Sequence, residues 1–376
     1  MNEQSKLDQV RAQIDVLDSQ IQELINSRAR LAFNVGEAKG QSARALDYYR
    51  PEREAAVLRG VIERNQGPLS DAEIMRLFRE IMSACLAQQE PLKIGYLGPE
   101  GTFTQQAVNR HFGHSVHAVS LPAIEDVFRQ VQAGEADFGM VPVENSSQGV
   151  VSHTLDMFLE SDLKICGEVE MRIHQNLLTQ AGGLAQIERV YSHQQSLSQC
   201  RGWLRRYLPD AECISVSSNA EAARRVRHAP DAAAIASRAA AEVYGLPILF
   251  SDIEDHADNS TRFLVIGRSL FAPSGEDKTS LLLANKEGPG SLYQLLRPLA
   301  ENDINMTRIE SRPSKLGKWD YVFFIDVEGH ADQPPLTATL AQLEKEARFL
   351  KVLGSYPKAV VDARLAEEIG KLQDAE

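Results

Sequence analysis

Asp258-Asn259-Ser260-Thr261-Arg262-Phe263-Leu264-Val265-Ile266 joins a polar loop to an apolar run. Four apolar residues behind turn-forming ones read as a buried strand. The stretch therefore delivers an amide, hydroxyls and a guanidinium to the entrance of that strand. Taken alone, a turn whose Asn and Ser bond their own backbone explains such a loop. Two further stretches weigh against so bland a reading. Gly98-Pro99-Glu100-Gly101-Thr102-Phe103 follows the strand-like Lys93 to Leu97, and Val141-Pro142-Val143-Glu144-Asn145-Ser146-Ser147-Gln148-Gly149 follows a second such run, Asp137 to Met140.

Working outward, strand and helix patterns alternate from 93 to about 271. Helices are expected at Thr104–His111, Ile124–Ala133 and Val151–Glu160, with a strand at Phe138–Val143. That order argues an α/β unit with a largely parallel sheet. A second block begins near Met171, with a strand ending at His193, a helix from Gln194 to Tyr207, a helix Ala220–Arg227, a strand Ala232–Ile235 and a helix Ser237–Tyr244 that Gly245 caps. Ser251 to Ile266 then returns to the first block. Two α/β lobes joined by two crossings resemble the type 2 periplasmic-binding-protein architecture, with substrate in the cleft between them. Gly95-x-x-Gly98-x-x-Gly101 is not the dinucleotide spacing and no Walker Gly-Lys-Ser/Thr occurs, so neither nicotinamide nor ATP is suggested.

The three quoted stretches together resemble the signatures of prephenate dehydratases, and Tyr191-Ser192-His193-x-Gln195-x-x-x-Gln199-Cys200 is a further one. His193 by itself reads as structural, and Cys200 as a buried helix residue. Prephenate becomes aromatic by losing CO2 and its ring hydroxyl. That requires a proton donor at the hydroxyl, clamps for two carboxylates and a dry pocket. The resemblance implies Thr261 at the departing hydroxyl, with Asn145 and Gln199 in the site. Threonine is a poor acid, so Thr261 is read as a hydrogen-bond donor or relay and Glu144 as the candidate proton source. Arg262 is read as a carboxylate ligand, with a structural ion pair as the alternative. The helix N-terminus after Gly101, at Thr102, and another near Ser146 offer backbone N–H groups to a carboxylate.

The first ninety residues are helical in pattern. Leu7 to Lys39 carries apolar residues at near-helical spacing without Pro, and Pro51–Asn65 and Ser70–Gln89 follow. A single helix about 50 Å long has no partner within itself, so an intertwined dimer is expected. Between Arg28 and Arg53 six basic residues (Arg28, Arg30, Lys39, Arg44, Arg50, Arg53) face three acidic ones, in a chain of net charge -12. Arg11, Arg28, Lys39, Arg53-Glu54 and Gln89 resemble the active-site pattern of the all-helical chorismate mutases. Chorismate rearranges pericyclically, so the protein needs only to hold a dicarboxylate in a compact conformer and stabilise charge on the ether oxygen. By the resemblance, Arg11 of the partner subunit and Arg28 clamp carboxylates, Arg53 supports one, Lys39 and Gln89 donate to the ether oxygen, and Glu54 accepts from the ring hydroxyl. Cys85 stands in that site where some members have Ser, and Arg50 where some have Asp.

Beyond a linker at Ala272–Asp277, residues 278 to about 358 read as strand Thr279–Asn285, helix Ser291–Glu301, strands Asn305–Glu310 and Trp319–Val327, helix Thr337–Phe349 and strand Lys351–Tyr356. This is the βαββαβ order of a ferredoxin-like α+β unit. It resembles the ACT domain, and Thr307-Arg308-Ile309-Glu310-Ser311-Arg312-Pro313 resembles the phenylalanine-site motif of dehydratases. Gly288-Pro289-Gly290-Ser291-Leu292 matches the other half of that site partially. The implied regulatory residues are thus Gly288, Gly290, Ser291, Leu292, Glu310, Ser311, Arg312 and Pro313.

The reading is therefore a multidomain chain: an all-α unit over 1–90, a two-lobed α/β unit over 93–271 and an α+β unit over 278–358. As a whole it resembles the bifunctional chorismate mutase–prephenate dehydratases of phenylalanine biosynthesis. The resemblance implies chorismate and prephenate as substrates, L-phenylalanine as feedback ligand, and a homodimer or larger even oligomer. An amino-acid-binding regulator with an inactive core is the alternative. The acidic net charge argues against a nucleic-acid surface, and no apolar run approaches ~18 residues, so no membrane span is indicated. The polar N-terminus and four scattered cysteines suggest a reduced, cytoplasmic chain. No cofactor or metal is implied, since the histidines show no ligand spacing.

Overall fold

The computed structural model describes residues 3–39, 49–147, 149–256, 258–286, 288–313 and 321–359. Three helices open the chain: α1 (Glu3–Lys39), α2 (Pro51–Arg64) and α3 (Asp71–Ala87). Pro51 occupies the first turn of α2, where its missing N–H costs nothing. Ser70 and Glu73 close a reciprocal capping box on α3. α2 and α3 bury Leu58, Val61, Met75 and Cys85. On α1, in contrast, Leu7, Val10, Ile14, Leu17, Ile21 and Leu24 are 45–70% exposed.

The first lobe contains β1 (Lys93–Leu97), α4 (Phe103–Phe112), β2 (His117–Leu121), α5 (Ile124–Ala133), β3 (Phe138–Asn145), β4 (Gly149–Val150), α6 (Ser152–Glu160) and β5 (Lys164–Arg172). The second contains β6 (Asn176–Thr179), β7 (Arg189–His193), α7 (Gln194–Gln199), α8 (Arg201–Tyr207), β8 (Glu212–Val216), α9 (Asn219–Val226), β9 (Ala232–Ala236), α10 (Arg238–Tyr244) and β10 (Ile248–Phe250). The chain then returns as β11 (Ser260–Gly267) between β3 and β5, so the two expected crossings are present. β1 runs parallel to β2 and β3, while β11 runs antiparallel to β3 and β5 because it enters from the other lobe. The crossings are tied together by Gln175, whose N–H donates to Glu254 and whose carbonyl accepts from Ile253 N–H. Two expectations are corrected. The helix expected over 194–207 is two short ones, interrupted at Cys200. β11 begins at Ser260, so Thr261 and Arg262 are strand residues rather than loop.

The last unit is β12 (Asp277–Ala284), α11 (Ser291–Glu301), β13 (Met306–Pro313), β14 (Tyr321–Glu328), α12 (Leu336–Glu346) and β15 (Phe349–Pro357). Its sheet order β13-β14-β12-β15 is the ferredoxin-like one. Phe349, expected at a helix end, instead opens β15. Both faces of this sheet are covered, as period-two alternation allows. Leu281, Leu283, Phe323 and Ile325 pack with residues of α11 and α12, while Leu282, Val322, Phe324, Leu353 and Tyr356 join Val141, Val143, Leu155, Phe158 and Ile165 of the first lobe in one core. The approach is backbone to backbone at Gly354, where a Cβ would lie 2.1 Å from the Ile165 carbonyl oxygen.

Tyr49, just ahead of α2, is 4% exposed and sits in the opposite core of the first lobe with Ile94, Val108, Phe112, Phe138 and Phe271. Its hydroxyl lies 3.0 Å from His111 Nε2. Burial, with Arg79 nearby, pushes the His111 pKa down to about 3. The unfolded chain takes up this proton below pH ~6.5 and the folded chain does not. Stability therefore falls as pH drops from about 6.5 towards 3. Urea midpoints measured across that window should show the slope, and His111→Gln, which cannot take up a proton, should flatten it.

Candidate active site

Thr261 and Asn145 face each other because of one extra residue in β3. The ladder runs from Ile266↔Gly139 to Phe263↔Pro142, then steps over Val143, so Arg262 meets Glu144 and Thr261 meets Asn145. Directly opposed residues project to the same side of a sheet, and a bulge changes which residues those are. In a regular ladder Thr261 would share its side with Glu144. With the bulge, Asn145 joins Thr261 on the face of Phe263 and Val265, and Glu144 joins Arg262 on the face of Leu264 and Ile266.

Asn145 is held in one orientation. Its Oδ1 accepts the Ser147 N–H (3.1 Å) and hydroxyl (2.6 Å). Its Nδ2 lies 2.8 Å from Thr261 Oγ1, 3.0 Å from Asn259 Oδ1 and 3.1 Å from the Ser260 carbonyl. A flipped amide would put its oxygen against the Ser260 carbonyl and its NH2 against the Ser147 N–H, neither of which can adapt. Gln199 completes a one-way series of donors. Gln175 Nε2 donates to Gln199 Oε1 (3.1 Å), Gln199 Nε2 to Ser147 Oγ (2.9 Å), Ser147 to Asn145, and Asn145 to Thr261. The Thr261 hydroxyl keeps its own proton to donate at the end of the series, and each bond polarises the next. Ser147 belongs to the first lobe and Gln199 to the second, so the series spans the cleft.

Ser147 and Gln175 were not among the sequence candidates. Ser147 lies in the quoted Val141–Gly149 stretch, but nothing in the spacing marks it over Ser146. Gln175 lies in no motif. Ser147→Ala cuts the series in two, and losing about 1 kcal/mol of orienting hydrogen bond should lower turnover at this site about five- to tenfold, read as kcat.

At the other edge of the cleft, Ser237 Oγ donates to the Gly101 carbonyl (2.7 Å) and Tyr244 OH to the Glu100 carbonyl (3.1 Å). Thr102 caps α4: its Oγ1 accepts from Gln105 N–H and donates to the Leu97 carbonyl. Its hydroxyl is therefore committed to the cap, and what remains for an anion there is the N-terminal backbone of α4.

Two expected site residues lie on the other face. Arg262 Nε donates to Glu168 (2.9 Å), Nη1 to Asp326 (2.6 Å) and Nη2 to Tyr356 OH (3.0 Å). Burial opposes its charge, but Tyr356, Asp326 and Glu168 outweigh that and raise its pKa above the ordinary arginine value. Glu144 pairs with Arg308 Nε at 2.7 Å. The bulge turns both side chains away from Thr261 and towards the ferredoxin-like unit, where they tie the two units together; for Arg262 this is the ion pair named above as the alternative. Arg312 of the same strand as Arg308 donates to Ser152 (2.6 Å) and Asp156 (3.0 Å). Glu310 is half-buried on that side of β13, with Ser311 and Pro313 alternating outward. Gly290 precedes α11 in the left-handed region (φ 74°), Ser291 accepts from Asn285 Nδ2, and Leu292 is exposed. Gly288 lies in the same turn, also at positive φ (140°).

In the helical unit, Glu54 lies 3.5 Å from Arg79 Nε. Burial raises its pKa and Arg79 opposes the rise. Arg79 is a site neighbour that no pattern singled out, since only the packing of α2 on α3 brings it there. Cys85 is buried, Arg28 half-buried, and Arg53 and Arg50 exposed. Gln89 commits one amide hydrogen to the Ala32 carbonyl (2.5 Å), while its Oε1 is buried with no partner among the described residues. Arg11 is exposed beside Asp8. Lys39 ends α1 with its side chain outside the described part, and Arg44 and Trp319 also lie outside the described residues.

Comparison with known proteins agrees with this architecture. The family profile for prephenate dehydratase matches residues 94–270, that for chorismate mutase type II residues 10–90, and that for the ACT domain residues 279–345. The bifunctional chorismate mutase/prephenate dehydratase of Pseudomonas aeruginosa is 52% identical over 365 residues, covering 96% of this chain and all of the relative. Its Escherichia coli K12 counterpart is 32% identical over 380 residues, covering 95% and 97%. Prephenate dehydratase from Arthrobacter aurescens in complex with L-Phe superposes with a TM-score of 0.66 at 32% identity, covering 75% of this chain and 98% of that one. The chain belongs to the family of bifunctional chorismate mutase/prephenate dehydratases with a C-terminal ACT domain. No described helix is long and apolar enough to cross a membrane.

Proposed function

We propose that this protein rearranges chorismate to prephenate in its helical unit and converts prephenate to phenylpyruvate in its two-lobed unit, with L-phenylalanine bound at the ACT domain as inhibitor. The observation that carries the dehydratase half is the donor series ending at the Thr261 hydroxyl. In dehydration, the electron pair of the breaking C–CO2 bond enters the ring as the ring hydroxyl departs as water, its extra proton drawn from solvent. In this reading the Thr261 O–H is the hydrogen-bond donor to that leaving oxygen, which the donor series supports. The mutase half needs no proton transfer and rests on Arg11, Arg28, Lys39, Arg53, Glu54 and Gln89 for charge and shape.

The exposed apolar stripe of α1 supports a homodimer in which a second copy covers it. Four unpaired cysteines fit a reducing, cytoplasmic setting. Regulation by phenylalanine requires unequal affinity for two states of the cleft, and the core shared by β3, β11 and the ACT sheet is a physical route between them.

The experiment supplies purified protein with chorismate alone, with and without L-phenylalanine. Phenylpyruvate that decreases when phenylalanine is added is expected. Prephenate accumulating without phenylpyruvate would overturn the dehydratase half and favour an inactive, ligand-binding core.

A further inference from the structure

Tyr49 belongs in sequence to the helical unit and in space to the dehydratase lobe. Its ring lies 5.4 Å from Phe112, 5.1 Å from Phe138 and 6.3 Å from Phe271, centroid to centroid, with the last two edge-on. A connecting residue needs no such seat, because connections run over the surface. Burial holds the Tyr49 pKa well above its ordinary value and the His111 pKa far below its own. Both partners therefore stay neutral, and their hydrogen bond persists across the working pH range.

One residue later the chain becomes the N-terminus of α2. The Arg50 carbonyl accepts the N–H groups of both Arg53 (3.0 Å) and Glu54 (2.9 Å), and Pro51 is buried. The backbone of the two expected mutase residues is thus rigidly joined to the residue that follows Tyr49. A second set of contacts grips the same end of α4. Glu80 accepts the His114 N–H (3.1 Å) and lies 2.7 Å from its Nδ1, and Ser83 Oγ accepts the Ser115 N–H (3.3 Å). Gly113, which precedes His114 and Ser115 at the end of α4, has φ 74°, and a Cβ there would come within 2.6 Å of Ser83 Cβ. Arg79, the partner of Glu54, is next to Glu80 on α3. The Glu54–Arg79 pair is therefore bracketed by two attachments to the C-terminal end of α4.

We propose that Tyr49 is a positioning residue for the mutase reaction, latched into the dehydratase core so that the dehydratase lobe sets the start of the helix presenting Arg53 and Glu54. The proposal rests on the mutase reading above. Because catalysis by positioning is sensitive to displacements of about 1 Å, a loosened latch should register in mutase kinetics before it registers in dehydration.

The test uses the full chain carrying Tyr49→Leu, with Phe271→Leu as control in the same aromatic cluster but outside the helical unit. Chorismate and prephenate are supplied separately, and thermal midpoints are recorded. Both variants should lose comparable stability. Tyr49→Leu should lower mutase kcat/KM about tenfold or more, chiefly through chorismate KM, while Phe271→Leu leaves it within about twofold. Should Tyr49→Leu fail to fold, Tyr49→Phe, which removes only the bond to His111, is read by the same criterion: raised chorismate KM with unchanged prephenate kinetics. Unchanged mutase kinetics in the Tyr49 variants, or an equal loss in Phe271→Leu, would overturn the latch. Wild-type protein that forms no prephenate from chorismate would overturn the mutase reading itself.

Discussion

Thr261→Val is expected to lower phenylpyruvate formation from prephenate by about 10²–10³-fold, the usual loss for one preorganised donor at a developing charge, and to leave chorismate turnover intact. Valine matches threonine in shape and strand preference, so β11 keeps its ladder to β3 and β5. What disappears is the oxygen that accepts from Asn145 Nδ2 at 2.8 Å and the proton it offers in return. Asn145 retains Asn259 and Ser260 as acceptors, so no buried amide is orphaned and folding should be little affected. The measurement is steady-state kinetics on each substrate separately. Near-normal dehydration by the variant would remove Thr261 from the reaction.

The second large effect is expected at Arg262. Arg262→Ala should reduce unfolding free energy by about 3–5 kcal/mol, as when one partner of a buried ion pair is removed. Two cations, Arg262 and Lys278, here balance two buried carboxylates, Glu168 and Asp326. Without the guanidinium, Asp326 keeps Ser280 and Glu168 keeps Lys278, but Asp326 loses its countercharge. Arg262→Lys should fall between, because an ammonium cannot reproduce three donors in a planar fork. Adding Asp326→Asn to Arg262→Ala removes the stranded charge and should restore part of the loss, a coupling that a double-mutant cycle in urea reads directly. Full additivity would mean that the pair carries no interaction.

Much of this protein was legible from local pattern. Helical spacing in Leu7–Lys39, the cap signals at Pro51 and Ser70, alternation in 93–271 and the βαββαβ order all depend on residues close in sequence. So does the unpartnered stripe on α1, since a long amphipathic helix cannot fold back on itself. Thr261, Asn145 and Gln199 stood out because they sit in three separate motifs. Their assembly into one donor series, however, needed both lobes, and its members Ser147 and Gln175 carry no motif.

What only the tertiary structure decided is which way neighbouring residues point. Glu144 and Asn145 are adjacent, as are Thr261 and Arg262, and either member of each pair suits an anionic or proton-transfer site by residue type. A strand shows its alternation in sequence but not its register against a partner far along the chain. The bulge at Val143 fixes that register, sending Asn145 and Thr261 to the cleft and Glu144 and Arg262 to the ACT domain. The seat of Tyr49 beside His111 has the same origin. Sequence determined the elements and the chemistry they carry, because propensity and amphipathicity are local; long-range register and packing determined which residues of each motif face the cleft and which tie the domains together.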